Sequence, residues 1–312
     1  MRIGVLGPQA SWHLNDLRRA AADRHEILPL PFERLVGRIG GTATSADVAW
    51  APTDNRAIGA LTCGDVPLAS FDALLVRTMP SASLEPVVFR MDILARCQAA
   101  GIAVVNPPKA IEAAVDKYLT TARLAAAGLR VPRTAVCQTV DDALAAFDEL
   151  AGDVVVKPLF GGEGRGIARL VDRALAERAF RLLADLGAVI YLQEFIAHPG
   201  YDLRLLLIGG RCWAIRRRNP LDWRTNLSRG AVAEPIEPSD EMIAMARRAA
   251  DAVGALVAGV DLLSDAGGTL YAIEVNAVPG WRGAASALGV DIAAELLSFI
   301  EARVAHGSEM RG

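Results

Sequence analysis

Lysine is nearly missing from this chain. Of its 33 basic side chains only Lys109, Lys117 and Lys157 are lysines, and arginine supplies the rest. No uncharged apolar run reaches the roughly 18 residues a membrane-spanning helix needs, and the opening MRIGVLGPQA is too short an apolar run for a secretory leader and reads as a first strand. The four cysteines, Cys63, Cys97, Cys137 and Cys212, form no C-x-x-C pair and do not cluster with the four histidines. A zinc site and a disulfide framework are therefore not expected, and a reducing cytoplasm is the default location. H-E-x-x-H, G-x-S-x-G and a Walker A loop are all missing. Neither charge sign dominates: 33 basic against 36 acidic residues leave a net charge of −3, with no global attraction to nucleic acid or anionic lipid. Neither a nucleic-acid nor a membrane partner is expected.

Apolar residues make up 52% of the 312 and charged residues 22%, which excludes disorder, collagen and coiled coil. The length suggests two or three lobes. In the first third, strands at Ile3–Leu6, Ala73–Val76 and Ile102–Val105 alternate with helices, the pattern of a parallel α/β sheet. Pro107-Pro108 marks a boundary. One long helix is expected from Ala110 to Ala127, with Lys117 in its middle. An α+β lobe follows, with strands at Arg133–Cys137, Val154–Lys157, Ile167–Val171 and Val189–Glu194. Beyond Gly200, Gly209-Gly210 joins two strands as a hairpin, and Asp265–Gly268 joins another pair.

Three groups of residues carry chemistry. Gly161-Gly162-Glu163-Gly164-Arg165-Gly166 follows the strand ending at Lys157. Its glycines let backbone N–H groups approach phosphate, and strand, loop, strand is the shape of a flap over polyphosphate. Two of the three lysines, Lys117 and Lys157, flank this loop, and an ammonium suits bridging phosphate oxygens. Next, Glu274 and Asn276 share one strand face. Pairing Ser264 with Thr269 sets Asp261 opposite Ala272, on that same face. Two carboxylates and an amide oxygen in apolar runs suit magnesium completed by nucleotide phosphates. Buried ion pairs to arginine are the alternative. The third group is basic: Arg204, Arg216, Arg217, Arg218, Arg224 and Arg229. Arg77, at the carboxyl end of a buried strand, and Arg90, on the next helix, are candidates to grip a substrate carboxylate.

In order along residues 106 to 303 stand Asn-Pro-Pro (106–108), Asp-Lys (116–117), Val-Lys-Pro (156–158), the glycine flap, Gln-Glu-Phe-Ile (193–196), Asp-Leu-Arg (202–204), Arg-Thr-Asn-Leu-Ser-Arg-Gly (224–230), Ala-Gly-Val-Asp (258–261) and Glu-Val-Asn-Ala-Val-Pro-Gly (274–280). This ordered set resembles the ATP-grasp carboxylate–amine ligases, in the RimK-like α-L-glutamate ligase branch. The resemblance implies a Rossmann-like pre-ATP-grasp lobe over 1–105 and a two-lobed α+β ATP-grasp domain. Its central and lid lobe would span 106–190 and its metal-binding lobe 191–312. It further implies that ATP lies against Lys117, Lys157, Gly161, Gly162, Gly164, Gly166, Gln193, Glu194, Phe195, Ile196, Asp202 and Arg204. Arg224, Asn226 and Arg229 would reach the phosphate and acyl end. Asp261, Glu274 and Asn276 would hold two Mg2+ ions, with Mn2+ as a substitute. There are departures from the family pattern: the flap carries Gly162-Glu163 where a serine is common, and Arg216 stands where glutamate is common. Gly280-Trp281 resembles ligases of tetrahydromethanopterin-type cofactor synthesis.

The implied reaction joins a carboxylate acceptor to an amino acid, glutamate by the arginine excess, through an acylphosphate. The acceptor would be a small molecule, a cofactor precursor or a protein tail, and the family pattern is compatible with a homo-oligomer. No dedicated general base is assigned, and Glu163 and a solvent network are both candidates. A catalytically silent ATP-binding regulatory module is the competing expectation.

Overall fold

Strands that are apolar on both faces must be covered on both sides, and those of the first third are. In the computed structural model, which describes residues 1–39, 61–162 and 164–309, β1 (Arg2–Leu6) lies between β2 (Glu26–Leu30) and a later strand in a parallel sheet. A small antiparallel sheet of β3 (Leu35–Gly37), β4 (Leu61–Cys63) and β5 (Val66–Pro67) intervenes, and β6 (Ala73–Val76) and β7 (Ala103–Val105) complete the order β2-β1-β6-β7. Helix α1 (Trp12–Ala21) starts at Ser11, whose hydroxyl caps it by accepting from Leu14 N. Helix α2 (Leu84–Ala99) precedes β7.

The helix expected over 110–127 is two helices. α3 (Pro108–Val115) and α4 (Lys117–Ala126) are broken at Asp116, which takes an extended conformation and caps α4 by accepting from Leu119 N. Lys117 is thus the first residue of a helix instead of a mid-helix residue. A short polar side chain that captures an N–H three residues on competes with helix continuation.

The lid sheet is antiparallel, in the order β10-β9-β11-β8, from β8 (Thr134–Cys137), β9 (Val154–Lys157), β10 (Ala168–Leu170) and β11 (Ile190–Glu194). Helices α5 (Val140–Glu149) and α6 (Arg173–Asp185) close one face of it through Leu144, Phe147 and Phe180. The floor sheet, β14-β13-β12-β15-β16, comprises β12 (Tyr201–Ile208), β13 (Arg211–Arg218), β14 (Val232–Ile236), β15 (Val257–Ser264) and β16 (Leu270–Asn276). Helix α7 (Asp240–Val253) covers its back, together with α3 and α4, in a core that includes Ile111, Leu124, Leu205 and Val260. The span 106–190 therefore divides its packing between the floor and the lid. Helices α8 (Arg282–Leu288) and α9 (Ile292–Glu309) end the described chain, and α9 packs with α1 over Leu17, Leu296 and Ile300. Among the described residues no single helix is long and apolar enough to cross a membrane.

Candidate active site

Alternation along four neighbouring strands gathers polar groups on one face of the floor sheet. Arg217 lies across from Asp202, Arg204 from Asp261, Asp261 from Glu274, and Gly259 from Asn276. The expected pairing of Asp261 with Ala272 is corrected here. Ser264 pairs with Leu270 and not Thr269, and the register shifts once more between Asp261 and Leu262, so that Leu262 faces Ala272 and Asp261 faces Glu274. This β-bulge is what brings the two carboxylates directly opposite each other.

The carboxylates differ in their partners. Asp261 accepts from Arg204 Nη1 at 2.6 Å and pairs with Arg217 Nη2 at 2.8 Å. Arg217 also grips Asp202 through Nε (2.7 Å) and Nη2 (2.5 Å), and Thr225 Oγ1 donates to Asp202 at 2.6 Å. Burial alone would push the Asp261 carboxyl up, but Arg204 and Arg217 outweigh it and hold the group below its ordinary value. Asp202 goes the other way, because burial outweighs the pull of Arg217. Gly259 makes room for the pair. A Cβ there would meet the Arg204 guanidinium at 2.4–2.6 Å. Among the described residues no cation forms an ion pair with Glu274, and Asn276 Oδ1 accepts from Val278 N at 2.8 Å.

Asp261, Glu274 and Asn276 are hard oxygen donors on one sheet face, which fits magnesium. Among the described residues no three His, Cys, Asp or Glu side chains form a self-contained metal centre, so an ion here would depend on phosphate oxygens and water. Both the metal reading and the arginine-pairing reading of Asp261 therefore describe the same atoms.

The lid supplies the lysines. Lys157, at the end of β9, donates to Gln193 Oε1 at 2.6 Å, and burial pushes its ammonium down to about 8, against the opposing field of Glu274. Gln193 is itself fixed, donating to Thr134 Oγ1 and to the Tyr191 hydroxyl. Lys117 Nζ reaches the Gly161 carbonyl at 2.7 Å, so one lysine holds the base of the flap while the other sits beneath it. Phe195 and Ile196 line a cavity of about 100 Å³ with Lys157, Asp202 and Trp223, and the Trp223 ring stands edge-on to Phe195. Glu194 lines this cavity too, and its carboxylate is engaged by Arg133, whose Nε donates to it at 2.6 Å.

The flap lies against the arginine loop. Gly164 is left-handed (φ +69°), and a Cβ there would stand 2.3 Å from Asn226 Oδ1. Arg229 Nη2 donates to the Gly164 carbonyl at 3.0 Å, and Arg224 Nη1 reaches the Ile167 carbonyl at 3.4 Å while Asp222 chelates its Nε and Nη2. Glu163, the candidate base, lies outside the described residues.

A second cavity, of about 330 Å³, joins Glu274, Asn276, Arg204 and Gly162 to Arg77 and His13 of the first lobe. Arg77 is therefore at the site as expected. Arg90 is not: it is buried beneath Phe32 and donates to the Pro80 carbonyl. Arg216 points to the opposite face, over Tyr201 and near Glu234. Arg217 stood in the basic group without a role of its own, and the sequence did not single out Thr225, His13 or Trp223. The alternation of Asp202, Arg204 and Arg217 on paired strands was the available signal for Arg217.

A parallel α/β lobe, a lid sheet with a glycine flap, and a polar floor sheet define an ATP-grasp enzyme. Residues 114–300 match the family described as the RimK-like ATP-grasp domain. The chain is 35% identical over 267 residues to tetrahydromethanopterin:alpha-L-glutamate ligase of Methanosarcina acetivorans, covering 76% of this chain and 82% of that protein. The protein of the same name from Methanococcus maripaludis is 30% identical, over 95% of this chain and 97% of its own. The fold matches the ATP-grasp ligase PsnB, whose structure holds a precursor variant, Mg and ADP, with a TM-score of 0.71 at 24% identity over 96% of this chain and 98% of that one. The chain belongs to the RimK-like ATP-grasp family and is an ATP-dependent carbon–nitrogen ligase of the α-L-glutamate ligase kind.

Proposed function

We propose that the enzyme adds L-glutamate to a carboxylate of a small cofactor precursor of the tetrahydromethanopterin type. The observation that carries this is the polar floor itself: Glu274, without a cationic partner among the described residues, faces the same cavity as Asn276, Arg204 and Arg77. The kinship to two tetrahydromethanopterin:alpha-L-glutamate ligases and the Gly280-Trp281 pair support the choice of acceptor.

In this reading Lys117 and Lys157 bind the phosphates, and the backbone of Gln193 to Ile196 lies along the base, with Phe195 and Trp223 nearby. Asp202 holds Arg217 in place. Asp261, Glu274 and Asn276 would hold two magnesium ions, which neutralise charge on the phosphates. The acceptor carboxylate attacks the γ-phosphate, ADP leaves, and the glutamate amine displaces phosphate from the acylphosphate. Phosphoryl transfer needs mainly positioning and charge neutralisation. Arg224, Asn226 and Arg229 hold the flap shut, which keeps water from the acylphosphate. We place the chain's working lobes at 1–105, 106–190 and 191–312, with helices α3 and α4 as the strut between lid and floor. Four cysteines unpaired in the described chain support a reducing cytoplasm.

The test pairs L-glutamate, then alanine and glycine, with pterin, furan and peptide acceptors and follows ADP release. Glutamate with a pterin acceptor should give the highest rate. No turnover with any acceptor despite ATP binding would favour a silent ATP-binding module, and alanine or glycine outperforming glutamate throughout would refute the amino-acid assignment.

A further inference from the structure

Among the described residues Arg77 is a charge without a counter-charge. Its backbone N–H extends the parallel sheet by donating to Leu6 O at 2.8 Å, at the strand end where open α/β sheets place ligands. Its side chain is 94% buried (6% exposed), stacked over the Trp281 indole at 4.4 Å. Trp281 is itself fixed, its Nε1 donating to Asp16 Oδ2 at 2.8 Å. Among the described residues no carboxylate pairs with Arg77, and its Nε has no hydrogen-bond partner. The contrast with the other buried arginines is instructive. Arg217 has two aspartates and Arg90 has a carbonyl. His13, edge-on to the same Trp281 at 4.6 Å, also has a buried Nε2 without a partner. Burial, with no acidic neighbour to offset it, pushes the Arg77 guanidinium down to about 9, and His13 is pushed down to about 4 by burial and then by Arg77.

A buried guanidinium that lacks a partner is costly unless an anion arrives. We propose that Arg77, with His13 beside it, is the subsite for a second, non-reacting carboxylate of the acyl substrate. The claim rests on the ligase reading above and deepens it. The cavity of about 330 Å³ carries the hard oxygens on the floor sheet and Arg77 with His13 on the wall from the first lobe. The reacting carboxylate must lie by the phosphates, on the floor side. The anion that Arg77 takes is therefore a different group, and a planar fork with an imidazole beside it fits a carboxylate. The acyl substrate would then be a dicarboxylate at its reacting end: one carboxylate activated, the other held. Trp281 is the platform that keeps the fork flat and aimed.

The probes are glutarate and butyrate, a dicarboxylate and a monocarboxylate, titrated by calorimetry into the full chain saturated with Mg·ADP. Wild type should bind glutarate more tightly than butyrate. Arg77→Met should weaken glutarate about tenfold or more, leave Mg·ADP affinity unchanged, and melt no lower than wild type, because an apolar side chain of similar length replaces a buried unpaired charge. L-glutamate should not displace glutarate. The proposal is overturned if wild type does not distinguish the two acids, or if Arg77→Met keeps glutarate within twofold while binding Mg·ADP normally. It is equally overturned if the variant loses glutarate and melts lower, which makes Arg77 a packing residue, or if L-glutamate competes, which gives the anion to the amino acid. Should Arg77→Met not fold, Arg77→Lys, which keeps the charge and loses the fork, carries the same comparison. A wild-type chain that fails to bind Mg·ADP is a failure of the ligase reading, and shows itself separately.

Discussion

Replacing Asp261 by asparagine separates the two tasks that meet on this carboxylate. The side chain keeps its size and one acceptor oxygen but loses the charge that balances Arg204 and part of Arg217. Arg217 retains Asp202, so the uncompensated group is Arg204, whose side chain is only 13% exposed. Removing one member of a buried pair typically costs about 3–5 kcal/mol. With one acceptor kept, the low end, about 3 kcal/mol, is expected, which lowers the melting temperature by roughly 6 to 12 °C. The double variant Asp261→Asn/Arg204→Met removes the stranded cation as well and should recover most of that loss. Turnover should stay absent in both, because the metal-facing carboxylate is gone in both. Differential scanning fluorimetry and ADP release measure the two effects independently. The acid dependence gives a further check. Asp261 is held below its ordinary value of 3.8, so its contribution to stability is complete above that value and is lost as pH falls below it. In Asp261→Asn that acid loss should shrink. A single variant that melts within a degree of wild type would refute the ion-pair reasoning, and a double variant that regains turnover would refute the metal assignment.

Glu274→Gln should abolish ADP formation with little change in melting temperature, since no ion pair within the described structure depends on it; near-normal turnover at saturating ATP would refute the assignment of Glu274 to the metal. Lys157 is charged below about pH 8 and neutral above it, so ATP affinity should fall as pH rises through 8. In Lys157→Arg that inflection should vanish, and calorimetry across pH 6.5 to 9.5, a range chosen to bracket it, decides the matter. Gly164→Ala forces a Cβ onto Asn226 and a left-handed backbone onto alanine. The KM for ATP should rise several-fold with the fold intact, and an unchanged KM would mean that the flap does not rest on the arginine loop during turnover.

The fold was legible wherever apolar pattern and turn chemistry agree. The Gly209-Gly210 hairpin, the strand-flap-strand around Gly161 to Gly166 and the Ser11 cap stand where their local chemistry puts them. What was not legible depended on one extra residue or on distant partners. Counting back from the Asp265–Gly268 turn gives the wrong neighbour for Asp261, because the turn pairs Ser264 with Leu270 and not Thr269, and because nothing in the composition of β16 marks the shift near Ile273. Helix periodicity runs through Asp116 unbroken, so the interruption shows only as a competing side-chain hydrogen bond. Arg90 and Arg77 look alike in sequence, each near a buried strand or helix. One meets a carbonyl and a phenyl ring within its own lobe, while the other reaches across to an indole more than two hundred residues away. Only tertiary placement distinguishes them. Glu274 and Asn276 were readable from period two alone, but the place of Asp261 opposite Glu274 required the strand register and its arginine partners the order of four strands.

Asn106, the first residue of Asn-Pro-Pro, fills its side chain completely. Oδ1 accepts from Leu256 N and Val257 N, and Nδ2 donates to the carbonyls of Val257 and Ala277. It follows the last strand of the parallel sheet and stitches it to the start of β15 and the end of β16. The wall that carries Arg77 and the floor that carries Glu274 thereby share an amide joint, set within a common apolar core of Leu75, Val105, Leu206, Ile208 and Val257. For anyone exchanging acceptor preference between relatives, this makes Asn106 the natural seam. A chimaera cut just before it would carry over a foreign reading head for the acceptor while keeping the joint that sets its distance from the chemistry. One that replaces Asn106 with leucine would leave two backbone donors and two backbone acceptors at the joint without their partner, and should melt lower than the chimaera that keeps it.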